Sequence, residues 1–129
     1  MNTCLLLWYR FYGVSMFLKN DVEKLEEGYM LAKQALADID RSSGYPNYPN
    51  AISKFMRALC GPPWGKIDYD PRQITNIMSN ITTASADDLR NVLTYVNRIE
   101  RFGDGQWAVI LEGDLFPLVI SRAYELTKT

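Results

Sequence analysis

The chain has 129 residues, 47% of them hydrophobic and 22% charged, with a net charge near −1 at pH 7. That length suits one domain with a core able to stand without metal or disulfide staples, and the composition excludes disordered and fibrous classes. Near-zero net charge removes any overall attraction to nucleic acid or anionic lipid, so any such binding would have to be local, and nucleic acid is not expected as a partner.

Histidine is absent. This closes histidine-based acid–base catalysis, histidine-activated nucleophiles and every histidine-containing metal site. The two cysteines, Cys4 and Cys60, fit no zinc or redox spacing. A reducing, cytoplasmic setting follows as the simpler expectation, with Cys60 a buried apolar residue.

In chain order, residues 1–18 form an apolar run from Leu5 to Leu18 broken by Arg10 and Gly13. It is too short and too charged to span a bilayer and lacks the flanks of a signal peptide. Three readings stay open: an element packed on the domain, an upstream extension with Met16 the natural start, or an interaction or membrane-surface segment. Residues 1–19 are therefore set apart as an apolar extension, and 20–129 are read as one helical domain.

From Asn20 the pattern becomes regular. Val22, Leu25, Tyr29, Ala32, Leu36 and Ile39 recur at three- and four-residue steps, an amphipathic helix capped by Asn20 or Asp21 and stopped at Ser42-Ser43-Gly44. Glu23, Glu26 and Glu27 make its solvated face. Tyr45-Pro46-Asn47-Tyr48-Pro49 is non-helical, since proline biases its predecessor to extended geometry. A short helix follows with Ile52, Phe55, Met56 and Leu59 inward, stopped by Gly61-Pro62-Pro63-Trp64-Gly65. The aromatics of these proline-rich loops, Tyr45, Tyr48, Trp64 and Tyr69, read as clamps onto the core, with an exposed partner-binding surface as the alternative.

Asp70-Pro71 predicts the next N-cap, with proline at the first helical position and Ile74, Ile77, Met78 and Ile81 inward. Ser85-Ala86-Asp87-Asp88 opens another helix in a capping box with Asp88 in place of Glu or Gln. Leu89, Val92, Leu93, Val96 and Ile99 are its buried face. Arg90, Thr94, Arg98 and Arg101 fall on a second face, read as solvated and self-paired rather than as a track for phosphates. A short helix from Gln106 to Glu112 and a last one from Leu115 to about Thr127, burying Leu118, Val119, Ala123 and Leu126, complete the chain. The prediction is an all-α, single-domain bundle of five to six helices with proline- and aromatic-rich loops.

Between the last long helices lies a corner dense in chemistry: Asn97-Arg98-Ile99-Glu100-Arg101-Phe102-Gly103-Asp104-Gly105-Gln106-Trp107. Gly-x-Gly at 103–105 lacks the Lys-Ser/Thr tail and preceding strand of a phosphate loop. Two uses are open. Asp104 caps the next helix while Arg98 or Arg101 bridges to Glu100, Glu112 or a helix-end carbonyl, with Gly103 and Gly105 supplying unusual backbone angles. Alternatively Arg98, Glu100, Arg101, Asp104 and Glu112 line a cleft beside Trp107 for a polar ligand or for carboxylate hydrolysis. No catalytic, metal or cofactor constellation is recognised.

The stretch Ala84-Ser85-Ala86-Asp87-Asp88-Leu89-Arg90-Asn91-Val92-Leu93-Thr94, then Arg98, Glu100-Arg101-Phe102, Asp104-Gly105, Trp107 and Glu112-Gly113, resembles the domain of unknown function 6508 family of uncharacterised bacterial and phage proteins. A tyrosine-bearing segment before a Phe-containing helix, Tyr48 to Phe55, fits as well, so the resemblance spans about residues 45–129. Gly103 stands where that family often has Cys, and Gln106 where it often has His; any chemistry those two carry in relatives is missing here. The resemblance implies a fold boundary and no activity. The expectation is a small accessory or protein-interaction domain without enzymatic activity.

Overall fold

The computed structural model describes residues 16–127. Among them are six α-helices and no strand: α1 (Lys19–Gln34), α2 (Asn50–Ala58), α3 (Ile74–Met78), α4 (Ala86–Arg98), α5 (Gln106–Glu112) and α6 (Leu115–Glu125). Short 3-10 turns extend or join them, at Ala35–Asp38, Pro71–Gln73, Ile81–Thr83 and Ile99–Phe102. The all-α bundle is as the periodicity predicts.

The apolar stripes do close on one another. Val22, Leu25, Tyr29 and Ala32 of α1, Ile52, Phe55 and Met56 of α2, and Leu89, Val92, Leu93 and Val96 of α4 share one buried cluster with Phe116, Val119, Ile120 and Ala123 of α6. α1 packs chiefly on α2 and α6. Its approach to α2 is set at Gly28, where an added Cβ would stand 2.8 Å from Phe55 Cδ1. The Phe116 ring sits between Tyr29 and Phe55, at 5.2 and 5.1 Å between centroids. Such aromatic contacts stabilise beyond the area they bury.

The capping chemistry of the second half is as read. Asp70 accepts from the Arg72 N–H with Pro71 in the first helical position. Ser85 and Asp88 form both halves of the capping box that starts α4.

Several expectations are corrected. α1 begins after Leu18, not at an Asn20 or Asp21 cap, and its last turn tightens and ends at Asp38, before Ser42. An Asp40–Asn47 bridge then closes the loop that leads to α2. Leu118 is 40% exposed, because Phe116 and Ile120 take the inward positions of α6. Cys60 is exposed, its thiol turned to the Arg57 carbonyl at 3.1 Å where α2 has already ended.

Of the apolar opening segment, residues 1–15 lie outside the described residues, and with them Cys4 and the choice among the three readings of that run. Met16, Phe17 and Leu18 are described. Phe17 is buried, donates its N–H to the Leu126 carbonyl at 3.1 Å and lies 4.9 Å from the Trp64 ring.

Candidate functional site

The corner after α4 is built around one carboxylate. The helix gives way to the 3-10 turn Ile99–Phe102, the chain runs extended through Gly103, and Gly105 turns it back at φ +88° into α5. That left-handed angle favours glycine at 105; Gly103, at φ −176°, is ordinary extended backbone and does not require it. Glu100 reaches across the turn. Its Oε2 accepts from the Gly105 N–H at 2.7 Å, and its Oε1 accepts from the Trp107 N–H and the Tyr48 hydroxyl, each at 2.9 Å.

Glu100 therefore does for α5 what an N-cap side chain normally does, meeting orphan N–H groups and placing negative charge at the positive end of the helix. The expected Asp104 cap is corrected: Asp104 is exposed, and the cap position itself is Gly105, which has no side chain to offer. The expected arginine bridges to Glu100 or Glu112 are corrected too, since the three donors on Glu100 are two backbone N–H groups and a tyrosine.

Tyr48 and Trp107 complete the brace. Their rings are 5.4 Å apart, and the indole N–H donates to the Val96 carbonyl at 2.9 Å. Burial, and then the hydrogen bond to the Glu100 carboxylate, push the Tyr48 hydroxyl well above the ordinary tyrosine pKa.

Glu100 and Trp107 are thus brought together. No hydrogen bond or ion pair joins Arg98, Arg101, Asp104 and Glu112 to one another or to Glu100 among the described residues, and all four are exposed. Arg98 lies over the Tyr69 ring, 4.9 Å from its centroid. Phe102, between Arg101 and Asp104, is 85% exposed. Neither this phenylalanine nor Tyr48 is singled out as a site residue by the sequence; Tyr48 is marked only by its proline-rich loop and the family resemblance, and Phe102 only by its place in the charged corner and its motif.

On the arginine face of α4, Arg98 and Arg101 are solvated as expected and Arg90 pairs with Asp87 at 3.9 Å, but the solvation expected of Arg90 and Thr94 is corrected. Arg90 is 1% exposed and Thr94 3%. Arg90 donates Nε–H to the Pro63 carbonyl at 3.0 Å, reaches the Met16 carbonyl at 3.5 Å and lies 4.8 Å over the Phe17 ring. A guanidinium so enclosed is no part of a phosphate track.

What covers that face is the loop after Trp64. The Lys66 N–H donates to Thr94 Oγ1 at 2.8 Å, and Asp70 and Asn91 exchange two hydrogen bonds, at 2.8 and 2.9 Å. Lys66 Nζ bridges Asp87 at 2.7 Å and Asp68 at 3.0 Å. Burial works against the Lys66 ammonium, yet its hydrogen bonds to Asp87 and Asp68 outweigh that and hold its pKa above the ordinary lysine value. Within this pinned loop Ile67 is 76% exposed. No group of three or more acidic or cysteine side chains able to hold a metal ion occurs among the described residues, and none of their helices is long and apolar enough to cross a membrane.

The chain belongs to a family of unknown function, DUF6508, whose model matches residues 23–129. The match extends further toward the N-terminus than the motif-bearing half of the chain and takes in α1 from Glu23 onward. No curated protein and no solved structure matches it.

Proposed function

We propose that residues 20–129 act as one non-catalytic protein-interaction or accessory module of bacterial or phage origin, docking a protein partner through the corner that presents Phe102. The observation that carries this reading is an aromatic ring 85% exposed at the tip of a turn braced from behind by Glu100, Tyr48 and Trp107. Isolated exposed phenylalanines are common; one carried on a braced turn, with Arg98, Arg101 and Asp104 near it in sequence, has the aromatic-plus-arginine make-up of binding hot spots. Preorganisation reduces the ordering cost of association. A cytoplasmic setting fits the exposed free thiol of Cys60.

The competing use of Glu100 as a general base has less support. Its oxygens already accept from the Gly105 and Trp107 N–H groups and from the Tyr48 hydroxyl, so the carboxylate is engaged in bracing the turn rather than turned toward a substrate.

The test is site-specific photo-crosslinking in the native host, with a benzophenone amino acid at position 102 and, as control, at Glu23 on the solvated face of α1. A discrete protein adduct from position 102 and none from position 23, lost when Arg98 is changed to Ala, is expected. Identical adducts from both positions, or none from 102, would overturn the reading.

A further inference from the structure

A second feature lies away from that corner, between α1 and α6. There a cleft of about 420 Å³ is walled by Glu26, Tyr29, Met30, Ile120, Ser121 and Tyr124, among others. Its size falls in the range of about 300–1,000 Å³ typical of small-molecule sites.

Tyr29 is the unusual member of the wall. It is 4% exposed, and its hydroxyl is buried without a hydrogen-bond partner among the described residues. Its ring is fixed from both sides: stacked on Phe116 at 5.2 Å, with Lys33 Nζ 5.8 Å from the centroid. Rotation of the ring about its own axis leaves the hydroxyl where it is, and the stacking on Phe116 opposes a swing of the whole side chain. A phenylalanine would fill the same space without leaving a donor unsatisfied, and buried polar groups in folded proteins are nearly always paired.

We propose that this cleft binds a small, uncharged, largely apolar molecule bearing a carbonyl acceptor, a ketone, ester or amide, which takes the hydrogen bond of the Tyr29 hydroxyl. The acceptor is required because the orphan group is an O–H donor. The apolar body is required by Met30 and Ile120. A negative charge on the ligand is disfavoured because the one charged group on the wall is the Glu26 carboxylate, which accepts from the Tyr124 hydroxyl at 2.8 Å. Met30, about half exposed and unbranched, is the most adaptable member of the wall.

The test uses three probes of one shape on the full chain: acetophenone, ethylbenzene, which lacks the carbonyl, and benzoate, which adds a charge. Binding is read from the methyl NMR signals of Met30 and Ile120. Acetophenone is expected to shift both saturably, with ethylbenzene about tenfold weaker for want of one hydrogen bond and benzoate without effect. Tyr29→Phe, which leaves the ring contacts in place, should bring acetophenone down to the ethylbenzene level. The proposal fails if acetophenone gives no saturable shift up to its solubility limit. It fails equally if Tyr29→Phe binds acetophenone as tightly as the natural chain, because the hydroxyl then takes no part. Neither outcome bears on the Phe102 surface.

Discussion

Arg90 and Arg98 stand eight residues apart on α4, close to two full turns, and the helical period assigns them to one face. Their surroundings are opposite. Arg90 is enclosed by Pro63, Met16 and Phe17, with a carbonyl taking its Nε–H and a ring beneath its guanidinium. Arg98 lies over Tyr69 with its outer side in water. Periodicity sets the direction in which a side chain leaves the helix; what it meets there is decided by other segments, here the loop after Trp64 and the chain around Phe17. At the Arg90 end those segments come over the helix. At the Arg98 end they stop, and the exposed Phe102 follows.

This contrast makes the largest prediction. Arg90→Met removes a buried donor and leaves the Pro63 carbonyl unsatisfied, so a loss of about 3 kcal/mol in chemical denaturation is expected. Arg98→Met gives up a half-exposed ring contact and should cost no more than about 1 kcal/mol. Equal losses at the two positions would dissolve the distinction between the covered and open ends of α4.

A second contrast sits within the corner itself, between Glu100 and Glu112, both read from sequence as members of one site. Glu100→Gln keeps the shape but turns an amide N–H₂ toward donors, and should destabilise by about 2 kcal/mol. Glu112→Gln, on an exposed carboxylate at the end of α5, should change stability by no more than about 0.5 kcal/mol. A neutral Glu100→Gln would mean that the three hydrogen bonds do not hold the corner.

The fold was legible because its signals are local: the three-and-four spacing of Val22 to Ala32, the Asp70-Pro71 cap and the Ser85/Asp88 box each depend on neighbours within a few residues. The corner was legible only as a place. That Glu100 and Trp107 belong together is carried by seven residues of sequence, but Tyr48 joins them across 52 positions, and no spacing rule reaches that far. The pairing of Arg90 with Asp87, at 3.9 Å, follows from helix spacing, but its burial does not, since the carbonyls that enclose it lie 27 and 74 residues away. Phe102 is legible as part of the corner but not as its exposed tip, because nothing in the sequence gives its exposure.

Tyr48 sharpens the contrast on a smaller scale. Tyr48→Phe leaves the ring on Trp107 but withdraws one of three donors from Glu100, a loss of about 1 kcal/mol for a partly exposed bond. The raised pKa of this hydroxyl also fixes a pH dependence. The folded chain keeps the proton above the pH at which an unfolded tyrosine, with a pKa of about 10, gives it up. Its contribution is therefore fully present below about pH 10 and is lost as pH rises further. Tyr69 and Tyr124 are shifted in the same direction, so Tyr48→Phe should lessen the alkaline loss of stability without abolishing it. An unchanged slope between pH 9 and 11, roughly the range of ordinary tyrosine titration, would place Tyr48 outside the coupling.

The smallest effect on stability is expected where the proposed effect on binding is largest. Phe102→Ser removes a ring that is 85% in solvent, so the melting temperature should stay within the equivalent of about 0.5 kcal/mol while partner capture is lost. Trp107→Ala makes a poor substitute for this test. Trp107 is 9% exposed and its indole holds the Val96 carbonyl, so truncation should cost about 3 kcal/mol or more and mix unfolding with any loss of binding. The two variants part cleanly under one pair of measurements. If Phe102→Ser is as destabilising as Trp107→Ala, the ring belongs to the core and not to a docking surface; if it is neutral in melting and silent in capture, the surface at the open end of α4 is where a partner engages.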